Sequence, residues 1–222
     1  IQVLDLACGD GFLLAKLAAH VEPGLALTGV DMNAAELNLA RTHLPPVVVL
    51  QQAKAQALPF LPETFDYVLC HLAIMLMDDI ELVMLEVRRV MKPGAVFAAI
   101  VGAPPPPSAA FTAYVDALTR HPLQGEHAGF RLGDRRFRHP DGIREVLSLA
   151  FRSVTIEEIH IPRRLTPDEL WRWYLSMYDL HLRSETGQRE IEREFKAAAA
   201  PLCGPDGRLD CSETLRCVSA LA

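Results

Sequence analysis

An alternation running through residues 1–101 constrains the fold of this chain most strongly. Short apolar runs at residues 1–6, 25–30, 47–50, 65–70 and 95–101 are separated by stretches with apolar residues at helical spacing. The clearest such stretch carries Ile80, Val83, Met84, Val87 and Met91. Helix stops follow at Val21-Glu-Pro-Gly24, Pro45-Pro46 and Lys92-Pro-Gly94, and Asn33 with Glu36 three residues on opens the helix that reaches about residue 44. Strands that alternate with helices across short loops predict βαβ units and a parallel sheet. The unbroken Val-Val-Val-Leu of residues 47–50 predicts a strand covered on both faces.

The regular alternation ends at Gly102-Ala-Pro-Pro-Pro-Pro107, a stiff connector. Beyond it the pattern predicts a helix over 109–120, a polar stretch over 121–139, a helix over 143–151 and a strand over 153–161. Thr166-Pro-Asp-Glu169 is a capping box with proline at the first helical position, opening an aromatic helix over 170–183. A helix over 188–200 and a last strand over 214–222 complete the chain. With 222 residues the expectation is a single domain, 1–222, with helices at about 166–200 forming a cap.

Half of the residues are hydrophobic and 23% are charged, an ordinary balance for a soluble globular protein. The net charge of −6 argues against nucleic acid, whose binders show a basic face. No apolar run is long enough for a membrane span, so no membrane partner is expected. No charged-then-apolar leader stands at Ile1, and five cysteines without CxxC pairing speak against zinc and for reduced thiols. The expected location is the cytoplasm, and no metal site is expected.

The first apolar run breaks at a glycine turn, Asp5-x-Ala7-x-Gly9-x-Gly11, and residues 12–19 then read as a helix. Such a unit brings backbone N–H groups and a helix N-terminus up to a ligand. It is not the dinucleotide fingerprint, because that pattern needs a third glycine where Phe12 or Leu14 stands. No G-x4-G-K-[ST] occurs either.

The turn resembles motif I of the class I S-adenosylmethionine-dependent methyltransferases, in particular the methyltransferase type 11-like members with small-molecule acceptors. Asp31 stands where that family places the acid that holds the ribose hydroxyls. Residues 51–60, Gln-Gln-Ala-Lys-Ala-Gln-Ala-Leu-Pro-Phe, resemble its adenine-side loop. Phe65-Asp-Tyr-Val and Glu86-Val-Arg-Arg-Val-Met-Lys-Pro-Gly94 resemble the segments that follow. The resemblance covers about residues 1–102 and makes them the cofactor-binding half, with 103–222 the substrate-side half. It implies an α/β fold, a Rossmann-like, doubly wound, seven-stranded sheet that is mostly parallel with an antiparallel last strand, plus helical cap insertions. It also implies S-adenosylmethionine as cofactor, S-adenosylhomocysteine as product, and methyl transfer to an O, N or C atom. The same fold and cofactor could serve a non-methyl reaction such as cyclisation, or binding without catalysis.

By the resemblance the cofactor-binding residues are Asp5, Ala7, Cys8, Gly9, Gly11, Asp31, Met32, Lys54, Ala55, Gln56 and Cys70. The family's adenine loop carries an Asp where Lys54 stands; lysine has donors and no acceptor, so Gln56, Gln52 or a backbone carbonyl must substitute. Cys8 and Cys70 also read as small fillers, and Met32 as a core side chain. Cys70-His71-Leu-Ala-Ile74 replaces the Asp/Asn-Pro-Pro-aromatic motif of nucleic-acid amino-methyltransferases. His71 is the candidate general base, or else a polar contact to the cofactor or a loop. His121, His127 and His139 lie in the polar region and read as solvated loop residues. Trp171, Trp173, Tyr174, Met177 and Tyr178 crowd one helix, where they could bind an apolar or aromatic small molecule or simply dock the helix. Arg163 and Arg164 could meet an anionic substrate or stay solvated.

Overall fold

The structure is a computed structural model that describes residues 1–20, 23–103, 108–123, 133–176 and 178–222. In chain order its elements are β1 (Gln2–Leu6), α1 (Phe12–Ala18), β2 (Ala26–Asp31), α2 (Ala34–His43), β3 (Val49–Gln52), β4 (Phe65–His71), α3 (Ile80–Val90), β5 (Met91–Gly102), α4 (Ala109–Arg120), α5 (Pro140–Ser148), β6 (Arg152–Ile161), β7 (Arg164–Leu165), α6 (Pro167–Leu175), α7 (Tyr178–His181), α8 (Glu185–Ala199), β8 (Leu209–Asp210) and β9 (Glu213–Leu221). They fall into two compact units. The described residues of one are 1–20, 23–103, 133–159 and 215–222, and those of the other are 108–123, 160–176 and 178–214.

The first unit is built on a seven-stranded sheet of order β3-β2-β1-β4-β5-β9-β6. Strands β3 to β5 run parallel, and β9 pairs antiparallel with β5. This is the expected mostly parallel, doubly wound sheet with an antiparallel last strand. From β1 the chain winds outward through β2 and β3, then returns to place β4 on the other side of β1. That reversal opens a crevice at the carboxyl ends of β1 and β4, where ligands of such sheets bind.

Both faces of the sheet are covered. Val3, Leu14, Leu27, Leu37, Ala40 and Leu44 belong to one buried cluster; Leu4, Leu6, Val68, Val83, Met84 and Val87 belong to another. Each fully buried Leu or Val contributes about 1.5–3 kcal/mol relative to exposure. Gly29 is a packing glycine, since a Cβ there would sit 2.6 Å from Leu14 Cδ1 and 2.8 Å from Cys8 Sγ.

Two strands depart from expectation. The Val-Val-Val-Leu run enters the sheet only at Val49, because Val48 N–H closes a turn onto the Pro45 carbonyl at 3.0 Å. Its strand, β3, is the sheet edge and not a doubly covered strand, which leaves Val47 77% and Val49 56% exposed. Lys92-Pro-Gly94 ends α3 as expected but lies inside β5. The register steps from Phe65↔Met91 to Tyr67↔Val96, and Gly94 takes φ 78°, so the three residues form a bulge. Proline is tolerated there because a bulge interrupts the ladder.

The second unit has its own core. Tyr114 of α4 stacks on Tyr174 of α6 with ring centroids 3.8 Å apart, and Phe195 of α8 meets both edge-on. Trp171 packs against Phe195 at 6.1 Å and is buried. The capping box is present: the Thr166 hydroxyl accepts from Glu169 N–H, and the Glu169 carboxylate accepts from Thr166 N–H. The aromatic segment is not one helix over 170–183, for α6 ends at Leu175 and α7 begins at Tyr178. Strands β7 and β8 pair as a short antiparallel ribbon. Among the described residues no helix is long and apolar enough to cross a membrane.

Candidate functional site

The turn after β1 winds through three left-handed residues, Ala7 (φ 57°), Gly9 (φ 55°) and Gly11 (φ 83°). Cys8 N–H donates to the Val30 carbonyl at 3.0 Å, and Gly11 N–H to the Cys8 carbonyl at 2.9 Å. The two glycines serve different ends. A Cβ at Gly11 would lie 2.7 Å from Leu44 Cδ1, so that glycine lets the turn pack on the end of α2. A Cβ at Gly9 would meet nothing within 4 Å, so its face is open for a ligand.

Asp31 ties this turn to the end of β2. Its Oδ2 accepts from Gly9 N–H at 2.9 Å and its Oδ1 from Asn33 N–H at 2.8 Å. A carboxylate has about four acceptor sites, so two more donors can be received. Asp5 lies one strand away, paired in register with Gly29 and Leu69, and is 1% exposed. Among the described residues its buried Oδ1 has no hydrogen-bond partner. Burial, and then the charge of Asp31, push the Asp5 carboxyl up to about 7.

The neighbouring thiols are inert. Burial first, and the Asp5 charge second, push Cys8 and Cys70 up to about 12, so both stay protonated and un-nucleophilic. Cys70 is buried in the sheet core, and Cys8 Sγ donates to the Gly9 carbonyl at 3.8 Å.

The loop beyond β3 is brought beside Asp31: Ala53 N–H donates to the Asp31 carbonyl at 3.0 Å, and Ala57 N–H closes onto Lys54. Met32 is 65% exposed and therefore not a core side chain. Lys54 is exposed and Ala55 is partly buried. Gln52 Nε2 donates to the Met32 carbonyl at 3.1 Å, and Gln56 Nε2 to the Asp78 carbonyl at 2.8 Å. A carbonyl can only accept, so the nitrogen of each amide makes these bonds and its oxygen is the acceptor that remains.

A clamp that sequence reasoning did not assign holds this loop. Glu86 on α3 accepts from Leu58 N–H at 2.8 Å, while Arg89 donates to the Leu58 carbonyl at 2.9 Å and the Phe60 carbonyl at 2.8 Å. The two side chains also pair with each other at 2.7 Å, which holds the Glu86 carboxyl below its ordinary range. Their three-residue spacing on one helix face was the available signal.

His71 closes β4 and is exposed, its ring 6.1 Å from that of Phe12 and tilted by 28°. Phe12 is 57% exposed, with Lys16 Nζ 5.4 Å from its centroid. Asp5, the turn, Asp31 and His71 thus gather at the carboxyl ends of β1, β2 and β4.

Most of the other candidates belong to the second unit. His121 is bound by Glu194 at 2.9 Å and Glu190 at 3.5 Å in the second unit, and His139 precedes α5 as its N-cap residue. His127 and Met177 fall outside the described residues. Arg163 pairs with Glu213 at 3.2 Å, and Arg164 with Asp206 at 2.7 Å and Asp210 at 3.2 Å, so both arginines are paired with acids of their own unit. Trp171 and Tyr174 are core residues of the second unit, and Trp173 is half-buried.

Residues 4–99 match the family model described as a methyltransferase domain. Over 109 residues, 47% of this chain, it is 33% identical to a demethylmenaquinone methyltransferase of Symbiobacterium thermophilum, and the match spans 43% of that protein. The chain thus spans about four tenths of the length of the curated relatives it matches. Its fold is that of a methyltransferase-named crystal structure from Bacillus halodurans C-125 (TM-score 0.65, 16% identity, 99% of this chain and 91% of that one). It is shared also by the phosphoethanolamine N-methyltransferase 2 of Haemonchus contortus (TM-score 0.58, 18% identity, 99% and 48%). The glycine turn, the parallel part of the sheet and the family match thus coincide on the same segment, residues 4–99.

Proposed function

We propose that the chain binds S-adenosylmethionine at the carboxyl ends of β1, β2 and β4 and transfers its methyl group to an O, N or C atom of a small molecule, leaving S-adenosylhomocysteine. The observation that carries this reading is the Asp31 carboxylate, held by Gly9 and Asn33 N–H groups beside an open left-handed turn. Its remaining acceptor sites suit a vicinal diol.

The residues fit the rest of the cofactor. The buried, unpartnered Asp5 oxygen suits a positively charged ligand group, and Gly9 leaves room for the methionyl part. Ala7, Cys8 and Gly11 shape the turn, and Cys70 fills beneath it. The exposed Met32 thioether and Ala55 offer apolar surface to a purine. Lys54 has no acceptor for the exocyclic amine; Gln56, its amide nitrogen spent on Asp78, presents the oxygen instead.

When bound, the cofactor supplies an electrophilic methyl carbon on a cationic sulfur. Methyl transfer is an in-line displacement, so the protein contributes alignment and exclusion of water. His71, exposed at the end of β4, takes the proton from an acceptor that has one to lose. Five free thiols and an acidic balance support a cytoplasmic enzyme that does not bind nucleic acid. The relatives' names point to an apolar, aromatic acceptor of quinone type.

Calorimetry with S-adenosylmethionine tests the reading: micromolar binding is expected, and Asp31→Ala should weaken it at least about tenfold, as for loss of a charge-assisted bidentate pair. Absence of binding refutes the cofactor, and unchanged affinity in the variant refutes the Asp31 assignment. A substrate panel read by mass spectrometry distinguishes a methylated product from an isomerised one.

A further inference from the structure

Asp5 is a costly residue in the ligand-free protein. An ionised carboxylate with a buried, unpartnered oxygen is unfavourable, and a second carboxylate nearby makes it worse. Among the described residues the titratable and charged groups around it offer no relief. They are Asp31 on β2, the Cys8 thiol and Asp10 in the turn, and Cys70 on β4; His71 lies at the exposed end of β4, and Lys16 sits over Phe12. None of them places a cation on Asp5. Yet the turn immediately beyond has an open face at Gly9.

We infer that Asp5 carries a proton while the site is empty and surrenders it when a cationic ligand enters, so the site admits positive charge in exchange for a proton. The exchange balances. The Asp5 O–H bond breaks, the proton goes to solvent, and the carboxylate left behind faces the ligand's positive charge. Asp5 thereby sets the charge preference of the site without touching the reacting carbon. The ligand-free carboxyl titrating at about 7 puts the exchange in the neutral range. This inference rests on the adenosine-ligand reading proposed above.

Isothermal titration in buffers of different ionisation enthalpy counts the protons directly. Suitable probes are sinefungin, in which an ammonium stands in for the sulfonium, and 5′-methylthioadenosine, which keeps ribose, base and thioether but has no charge. Sinefungin should release about half a proton near pH 7 and bind about tenfold more tightly near pH 8 than near pH 6. Methylthioadenosine should release none. Asp5→Asn should abolish both the release and the pH dependence for sinefungin, while His71→Gln should retain them. Sinefungin binding without proton release, release that persists in Asp5→Asn, or equal release by methylthioadenosine overturns the inference and leaves the cofactor reading intact. Failure of every adenosine ligand to bind the wild type overturns the cofactor reading, and this inference with it.

Discussion

Replacing Asp5 by Asn should remove a loss of stability that the wild type suffers as pH rises from about 4 to about 7. The substitution keeps the shape of a 1% exposed side chain and removes its titration. Burial and the nearby Asp31 charge raise the Asp5 carboxyl from its ordinary 3.8 to about 7. Between those values the folded protein keeps a proton that the unfolded chain has lost, so folding becomes less favourable as pH rises. The loss starts near pH 4 and is complete a little above pH 7. A shift of about three pH units at about 1.4 kcal/mol each corresponds to about 4 kcal/mol. Urea unfolding followed by far-UV circular dichroism at several pH values measures it. The stability of Asp5→Asn minus that of the wild type should grow by about 4 kcal/mol from about pH 4 to about pH 8. Surface carboxylates such as Asp66, held low by Lys92, act alike in both proteins and cancel in the difference. Parallel stability curves would refute the argument.

Three further outcomes are expected. Gly11→Ala places a Cβ 2.7 Å from Leu44 Cδ1 at a left-handed φ and should cost about 1–3 kcal/mol in stability; Gly9→Ala should cost about 1 kcal/mol and chiefly weaken cofactor binding, as paired melts and calorimetry would show. Arg89→Ala removes the bonds to Glu86, Leu58 and Phe60 and should lose about 1–3 kcal/mol, with faster amide exchange across residues 53–60. Phe195→Ala opens the second unit's aromatic core and should cost about 3–5 kcal/mol by urea unfolding; a loss below about 1 kcal/mol would show that the stack is not its anchor.

What could be read from the sequence was what is local in the chain. The turn Asp5 to Gly11 and the strand-end Asp31 are spelled by neighbouring residues, and so are the Thr166–Glu169 capping box and the alternation that orders the sheet. Position within the sheet was not local. Val47 and Val49 look like core residues until β3 is found at the edge, and the Lys92-Pro-Gly94 bulge needs its partner strand to be seen. The Glu86–Arg89 clamp joins residues about 30 positions apart, and the isolation of Asp5 depends on what three strands place around it. The aromatic residues of α6 signalled burial but not which surface they bury against, because a pattern along one helix does not name its partners.

The chain's two tryptophans are Trp171 and Trp173, and both belong to α6 in the second unit. The first unit, with Asp5, the glycine turn and the clamped loop, holds none. Intrinsic indole emission therefore reports on the second unit, where Trp171 packs on Phe195. Overlaying emission and dichroism curves for Asp5→Asn would then reveal whether the protein unfolds as one cooperative body. If only the dichroism curve moves, the parallel sheet and the helical unit have separate stabilities.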